Sequence, residues 1–227
     1  ESTPDAVVLI DYPGFNLRLA RALRRQSQCH KTIYYISPQV WAWNRGRIKR
    51  MAHFIDLVLC IFPFETDLYA ASGLRAVFVG HPMIERLETQ KIHTQRDQNL
   101  IGLFPGSRSR EVRKIFPVMI EAARQLFKLN ATLRFHVAAA SEELAREMSE
   151  MLSAEQSVDR EIIEISVGQT EIIMQRAFVG IVASGSATLE AAYFGMPFVL
   201  IYKVAWPTYV AARLVVNVDF LGMPNLL

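Results

Sequence analysis

With 227 residues, 51% of them apolar, the chain can bury one large core or two small ones, and a net charge of +3 is too mild to argue a nucleic-acid partner by itself. Cys29 and Cys60 lie in unrelated segments without C-x-x-C spacing, which excludes a disulfide framework and a cysteine zinc site and fits a reducing compartment. No run approaches the roughly 18 apolar residues of a spanning helix, and the opening ESTPDAVVLID has neither the basic flank nor the length of a signal peptide, so the chain reads as neither membrane-spanning nor secreted.

In chain order, Ala6 to Ile10 reads as a buried parallel strand leading into Asp11-Tyr12-Pro13-Gly14-Phe15-Asn16. The helix that follows turns Leu17, Ala20 and Leu23 inward and Arg18, Arg21, Arg24 and Arg25 largely outward. Thr32 to Ile36 is the second strand. After Ser37-Pro38 comes a basic and aromatic stretch in which Trp41, Trp43, Arg45, Arg47, Lys49 and Arg50 crowd together. Asp56 to Phe62 is a third strand, Pro63 opens a helix that Ser72-Gly73 closes, and Ala76 to Val79 is a fourth strand ending at Gly80-His81-Pro82. The order βαβαβαβ implies a parallel sheet with right-handed crossovers.

Residues 85–99 are rich in charge and poor in apolar side chains, so they read as a linker between a first domain, residues 1–84, and a second, residues 100–227. The strand count then restarts with Leu100 to Phe104. A polar turn, Pro105-Gly106-Ser107-Arg108, follows, and Pro117 fits the first position of a helix burying Ile120, Ala123, Leu126 and Phe127. Strand Leu133 to Ala138, helix Ser141 to Leu152, strand Ile162 to Ile165 and a short helix from Thr170 to Gln175 come next. The domain is organised around Ala177 to Tyr202: a buried strand from Phe178 to Ala183, a Ser184-Gly185-Ser186 turn, a helix, and a second buried strand from Phe198 to Tyr202. Ser186 or Thr188 can cap that helix, Glu190 falls in its first turn, and Gly195-Met196-Pro197 ends it. The fold class is α/β with two Rossmann-like parallel-sheet domains. The chain opens within a few residues of a strand and closes on Gly222-Met223-Pro224-Asn225-Leu226-Leu227 without a terminating helix, so both domains are expected to be incomplete pieces of a longer protein.

Ligands of open α/β sheets lie beyond the carboxyl ends of the strands. There Gly106 lets the backbone approach a ligand, Arg108 offers a planar fork that matches phosphate oxygens, the amides of Ser184, Gly185 and Ser186 face an anion, and Glu190 faces hydroxyls. Each feature alone has an ordinary reading, a surface arginine or a capping acid. On one edge of one sheet they point to a nucleoside-diphosphate site, with no lysine-containing P-loop and no G-x-G-x-x-G for NAD or FAD. Asp11, directly after the first strand, serves either as a turn-forming residue or as an acid over the cleft, and Asn16 is open to a capping role. The Trp41 to Arg50 cluster suits an anionic group or a membrane surface, against the plainer reading of a solvated amphipathic helix. No RNP, KH or helix-turn-helix pattern accompanies it, so no nucleic acid is expected.

IDYPGFN at Ile10 to Asn16, SPQVWAW at Ser37 to Trp43, VGHPM at Val79 to Met83, LFPGSR at Leu103 to Arg108, SGSATLEAA at Ser184 to Ala192 and the closing GMPNLL resemble, in order, the motifs of the lipid-A-disaccharide synthase family. The resemblance implies a two-domain GT-B glycosyltransferase working without metal or cofactor, peripherally attached to the anionic cytoplasmic face of a bacterial inner membrane. It implies inverting transfer of 2,3-diacylglucosamine from UDP-2,3-diacylglucosamine to 2,3-diacylglucosamine 1-phosphate, giving the β(1→6) disaccharide and UDP. By the same resemblance Asp11 matches the catalytic aspartate, Arg108 the arginine at the donor phosphates, Glu190 the nucleotide-contacting glutamate and Asn225 the asparagine of a PNL motif. Gly106, Ser107, Ser184, Gly185, Ser186 and Thr188 complete the expected donor site. Asn16, Trp41, Trp43, Arg45, Arg47, Lys49 and Arg50 form the acceptor or membrane side. Gly14 departs from the family, many of whose members carry a second aspartate there. The absence of D-x-D fits arginine and helix amides in place of a metal. Two rival readings are a UDP-sugar 2-epimerase of related fold and a non-catalytic nucleotide-sugar or membrane-binding module. Oligomeric state is left open, a homodimer included.

Overall fold

A computed structural model describes residues 4–26, 30–38, 46–153 and 161–203. They fall into two compact units divided between Ile84 and Glu85, each built on its own sheet.

In the first unit, β1 (Ala6–Ile10), β2 (Lys31–Tyr35), β3 (Leu57–Cys60) and β4 (Ala76–Phe78) pair in parallel in that order. The crossovers carry α1 (Pro13–Arg25), α2 (Gly46–Met51) and α3 (Pro63–Ala70). Leu17 and Ala20 of α1 pack with Leu9, Tyr34, Ile48, Met51, Val58 and Tyr69 in one core, as the helical spacing requires. Ala6 to Ile10 is not buried throughout as expected. Leu9 is 3% exposed but Val8 and Ile10 are 54% and 57% exposed, because β1 ends the row of described strands and only one face of it packs.

The second unit pairs five parallel strands in the order β7-β6-β5-β8-β9: β5 (Asp97–Phe104), β6 (Arg134–Ala139), β7 (Ile163–Val167), β8 (Ala177–Ala183) and β9 (Phe198–Ile201). The chain runs outward from β5 in one direction and then returns to build in the other, so the topological switch lies between β5 and β8. Alternate residues of β5 serve opposite faces. Ile101 and Leu103 join Val112, Phe116 and Met119 of α5 (Ser109–Leu129) and Leu144 and Met148 of α6 (Glu142–Ser153). Leu100 and Phe104 join Ile173 and Met174 of α7 (Thr170–Arg176) and Ala191 of α8 (Ala187–Tyr193). Gly102 and Gly180 are partners across the sheet, and a Cβ on either would meet the Phe104 ring at 2.6 or 3.3 Å, so the missing side chains are what let that ring lie over the strands.

Three expectations change here. Pro117 sits inside α5, nine positions in, rather than opening it. The two turns before it bury Val112, Ile115 and Phe116, while Pro117 itself is exposed, so the carbonyl deprived of its N–H partner lies on the solvent side where water can satisfy it. Residues 85–99, expected as a linker, belong to the second unit. The helix α4 (Pro82–Thr89) ends among them and β5 begins at Asp97. Arg96 donates to the carbonyls of Met174, Ala177 and Phe194 at 2.6 to 2.7 Å, so the charge that suggested a solvated linker instead caps the ends of α7 and α8. Finally, Phe198 to Tyr202 is not buried throughout: β9 ends the row of described strands, with Val199 60% exposed.

Candidate functional site

The loops leaving β5 and β8 enclose a cavity of about 430 Å³ at the switch between the two strands. Gly106, Ser107, Arg108, Ser184, Gly185, Ser186 and Glu190 all line it, so the two turns that are 80 residues apart in sequence meet as expected. Gly106 holds φ +109, a conformation that side-chain-bearing residues rarely adopt, and any Cβ would come 3.0 Å from Glu111 Oε2. Arg108 is 79% exposed, and its Nη1 donates to Glu111 Oε1 at 2.9 Å.

On the other side of the cavity Ser184 N–H is consumed by the sheet, donating to Ile201 O at 3.0 Å. The amides of Gly185, Ser186 and Ala187 have no partner among the described residues. Neither expected cap forms. Ser186 stands before α8 with helical φ −58 and ψ −29 instead of the extended backbone that aims a capping oxygen at the helix amides. Thr188 is buried and its hydroxyl donates to Gly185 O at 2.7 Å, which braces the turn from behind.

The cavity also contains two groups that sequence reasoning missed. Arg86 of α4 donates through Nη2 to Glu190 Oε1 at 2.5 Å and through Nη1 to Glu171 Oε1 at 3.2 Å, and all three side chains line the cavity. Burial pushes the Glu190 carboxyl above its ordinary range; Arg86 opposes this and the neighbouring Glu171 adds to it. Arg86 was hidden in the presumed linker. Glu171 had a readable signal, since Gly168-Gln169-Thr170-Glu171 is a third strand-to-helix turn on the same sheet edge, with Gly168 at φ +69.

In the first unit, Asp11 follows β1 directly and is exposed, with no hydrogen-bond or salt-bridge partner for its carboxylate among the described residues. Its backbone is strained. Asp11 and Tyr12 hold φ 46 and φ 40, and the turn is fastened by Asn16, whose Nδ2 donates to Ile10 O at 2.9 Å and to Asp11 O at 2.7 Å. The Tyr34 hydroxyl donates to Asp11 O at 2.6 Å. Asn16 therefore holds the aspartate's turn rather than capping α1, whose N-cap position is Tyr12. In the expected membrane-side cluster, Ile48 and Met51 of α2 are buried while Lys49 and Arg50 are exposed and Arg47 is half-buried. Trp41, Trp43, Arg45 and Asn225 lie outside the described residues. Among the described residues, no cluster of His, Cys, Asp or Glu could hold a metal ion, and no helix is long and apolar enough to cross a membrane.

Solved structures of other proteins share the fold. The Staphylococcus aureus MnaA–UDP co-structure matches with a TM-score of 0.57 at 14% identity, covering 98% of this chain and 64% of that one. A Methanocaldococcus jannaschii UDP-GlcNAc 2-epimerase in complex with UDP-GlcNAc and UDP matches at 0.54 and 13%, covering 92% and 63%. Such identities speak for the fold alone. Sequence relatives are nearer. The lipid-A-disaccharide synthase of Persephonella marina is 34% identical over 237 residues, covering 98% of this chain and 61% of the relative, and that of Geobacter sulfurreducens is 37% identical over 233 residues, covering 98% and 59%. The chain thus spans about 60% of the length of these curated relatives. A model of the lipid-A-disaccharide synthetase family matches residues 1–227 from end to end, and the chain belongs to that family.

Proposed function

We propose that the chain carries the donor-nucleotide site and the general base of a lipid-A-disaccharide synthase. The observation that carries this reading is the cavity at the β5/β8 switch, where Arg108, the free amides after β8 and Glu190 offer a cation, donors and an acceptor to one ligand. A nucleoside diphosphate asks for that set: phosphates at the arginine and amides, ribose hydroxyls at the carboxylate. The Arg108–Glu111 pair does not stand in the way, because an ion pair this exposed is worth at most about 1 kcal/mol and exchanges readily for a diphosphate. In the reaction the acceptor hydroxyl attacks the sugar's anomeric carbon, the bond to the diphosphate breaks, the hydroxyl proton passes to Asp11, and UDP leaves stabilised by Arg108 and the amides.

The test is UDP release by the full-length protein from UDP-2,3-diacylglucosamine, with and without 2,3-diacylglucosamine 1-phosphate. Release that depends on the acceptor, with a β(1→6) disaccharide as product, is expected. A 2-epimerase would instead give isomerised nucleotide sugar with no acceptor present. UDP binding without any turnover would leave a nucleotide-sugar binding module. Glu190→Ala should weaken UDP binding by about 1 to 3 kcal/mol, as for a lost hydrogen bond to a charged group, and an unchanged calorimetric affinity would remove Glu190 from the site. Lys49 and Arg50, exposed on α2, support peripheral attachment to an anionic bilayer such as the cytoplasmic face of the inner membrane. Flotation with anionic liposomes should then occur at low salt and fade as ionic strength rises, and no association at low salt would end that part of the proposal.

A further inference from the structure

Arg86 belongs to none of the motifs that led to the donor cavity, yet it touches both of the cavity's innermost acids. Its side chain is 51% exposed, whereas those of Glu171 and Glu190 are 18% and 12% exposed, so the cation closes over two half-desolvated carboxylates from the solvent side. The two acids come from different helices, α7 and α8, and repel each other across the cavity without a cation between them. Each gives one oxygen, Oε1, to one arm of the guanidinium fork. That leaves each carboxylate its second oxygen. We infer that Arg86 is a positioning residue of the nucleotide site, its fork holding Glu190 and Glu171 in the paired geometry that accepts hydrogen bonds from the vicinal hydroxyls of a nucleoside diphosphate's ribose. This rests on the nucleotide-site reading above and adds a residue and a second acid to it.

The plainer role is a staple between helices, and the neighbouring turn of α4 shows what one looks like: Glu88 accepts from the Tyr193 hydroxyl of α8 and from Lys91 Nζ. A staple on acids that do not meet the ligand stabilises the fold and leaves the pH dependence of ligand binding unmoved. A positioning cation moves it. Glu190 receives a hydroxyl proton best when ionised, and its burial already favours the neutral acid. Removing Arg86 raises its pKa further, so nucleotide affinity is lost at a higher pH as the solution is acidified. Removing the negative charge of Glu171 does the reverse. The other charged groups lining the cavity are Arg108 and Glu111, paired with each other. That pair and the nucleotide's own phosphate are common to every variant, so only differences between curves are read.

The experiment is calorimetric titration of the full-length protein with UDP from about pH 5 to about pH 8.5, spanning carboxyl groups raised from their ordinary range, with a thermal melt of each variant. Arg86→Gln should weaken UDP binding about tenfold at neutral pH, the low end for a charge-assisted contact. Its acid limb should move to higher pH and the deficit should narrow at alkaline pH. Arg86→Lys should restore most of the limb, and Glu171→Gln should move it to lower pH. An Arg86→Gln protein with the wild-type limb, whether or not it melts earlier, makes Arg86 a staple and overturns the inference. If Arg86→Gln does not fold, Glu171→Gln decides, since a wild-type limb there overturns the inference equally. Failure of the wild-type protein to bind UDP at any pH overturns the nucleotide-site reading and this inference with it.

Discussion

The two units solve the same local problem, a sharp turn at the end of a strand, in opposite ways. After β5 the second unit places Gly106 at φ +109, where glycine has no side chain to clash and the backbone is left open to the cavity. After β1 the first unit places Asp11 and Tyr12 at φ 46 and φ 40, where a side chain costs about 1–2 kcal/mol per residue. It then fastens the turn with three hydrogen bonds, from Asn16 to the Ile10 and Asp11 carbonyls and from Tyr34 to the Asp11 carbonyl. Burial, with Asp11 nearby, pushes the Tyr34 phenol up to about 12, so it remains a donor across the working pH range. The difference tells which atoms each turn is built to present. On the proposed function, the second unit needs its main chain close to a ligand, and the first needs a side chain aimed outward and tolerates strain to get it.

The largest effect that bears on this contrast is on turnover. On the proposed general-base role, Asp11→Asn keeps size and shape but cannot take a proton from the acceptor hydroxyl, a contribution of about 10²- to 10⁴-fold in rate. Turnover of the lipid substrates by the full-length protein should fall by that order while UDP affinity and thermal stability hold. A well-folded Asp11→Asn protein with near-normal turnover would leave the strained turn without a chemical reason.

Gly106→Ala tests the other unit and acts through the backbone. The added methyl's one tight neighbour is the movable end of Glu111 at 3.0 Å, with Glu111 Cβ and Ala183 Cβ at ordinary contact distances, so the cost lies in the φ itself, about 1–3 kcal/mol for a conformation that side-chain-bearing residues rarely adopt. Denaturant unfolding should show that loss, with UDP binding weakened in parallel. Gly185→Ala is the partner experiment. A Cβ there meets nothing within 4 Å, so stability should change by less than about 0.5 kcal/mol, and any fall in UDP affinity reports close approach of the ligand to that turn. If Gly185→Ala destabilises as much as Gly106→Ala, the glycines serve the fold rather than the site.

Much of this arrangement was legible because strands and their exits carry local signals. The apolar runs at Leu100 to Phe104 and Phe178 to Ala183, each stopped by a glycine-bearing polar turn, located β5, β8 and the cavity between them. What stayed hidden depends on distant partners. Arg86 and Glu190 meet across 104 residues, and nothing in the charged stretch around Arg86 marks which of its cations points at an acid. Arg96 looks like any solvated arginine until three carbonyls are seen around it. Positive φ at Asp11 and Tyr12 was equally unreadable, because neither residue type announces it and the hydrogen bonds that enforce it come from Asn16 and from Tyr34 on another strand. Pro117 misled for the converse reason: its local preference for a helix start was overridden by the burial of Val112, Ile115 and Phe116 before it.

Asn16→Ala should come next in size. It removes both hydrogen bonds from Nδ2, each worth about 0.5–1.5 kcal/mol net, and should lower stability by about 1–3 kcal/mol. Because the turn then relaxes, turnover should fall more than UDP affinity does. Tyr34→Phe removes a single bond and should lower stability by about 1 kcal/mol. Equal stability in both variants would mean the turn holds its shape without these fasteners, and the strain argument would fail.

The smallest expected effect has the opposite sign and probes the strain directly. Tyr12 is 71% exposed, so its ring gives up little apolar burial when removed. Its backbone, at φ 40 and ψ 67, is left-handed, an outlier for a bulky residue. Tyr12→Gly removes the left-handed penalty of about 1–2 kcal/mol and adds back about 0.5–1 kcal/mol of chain entropy in the unfolded state. The balance is a stabilisation of up to about 1.5 kcal/mol, read as a higher denaturant midpoint with an unchanged slope. It mirrors Gly106→Ala, which destabilises by placing a side chain where the second unit has none. A Tyr12→Gly protein that unfolds earlier than the wild type would show that the tyrosine's contacts outweigh the backbone penalty, and the first unit's turn would then be held by packing instead of being held against strain.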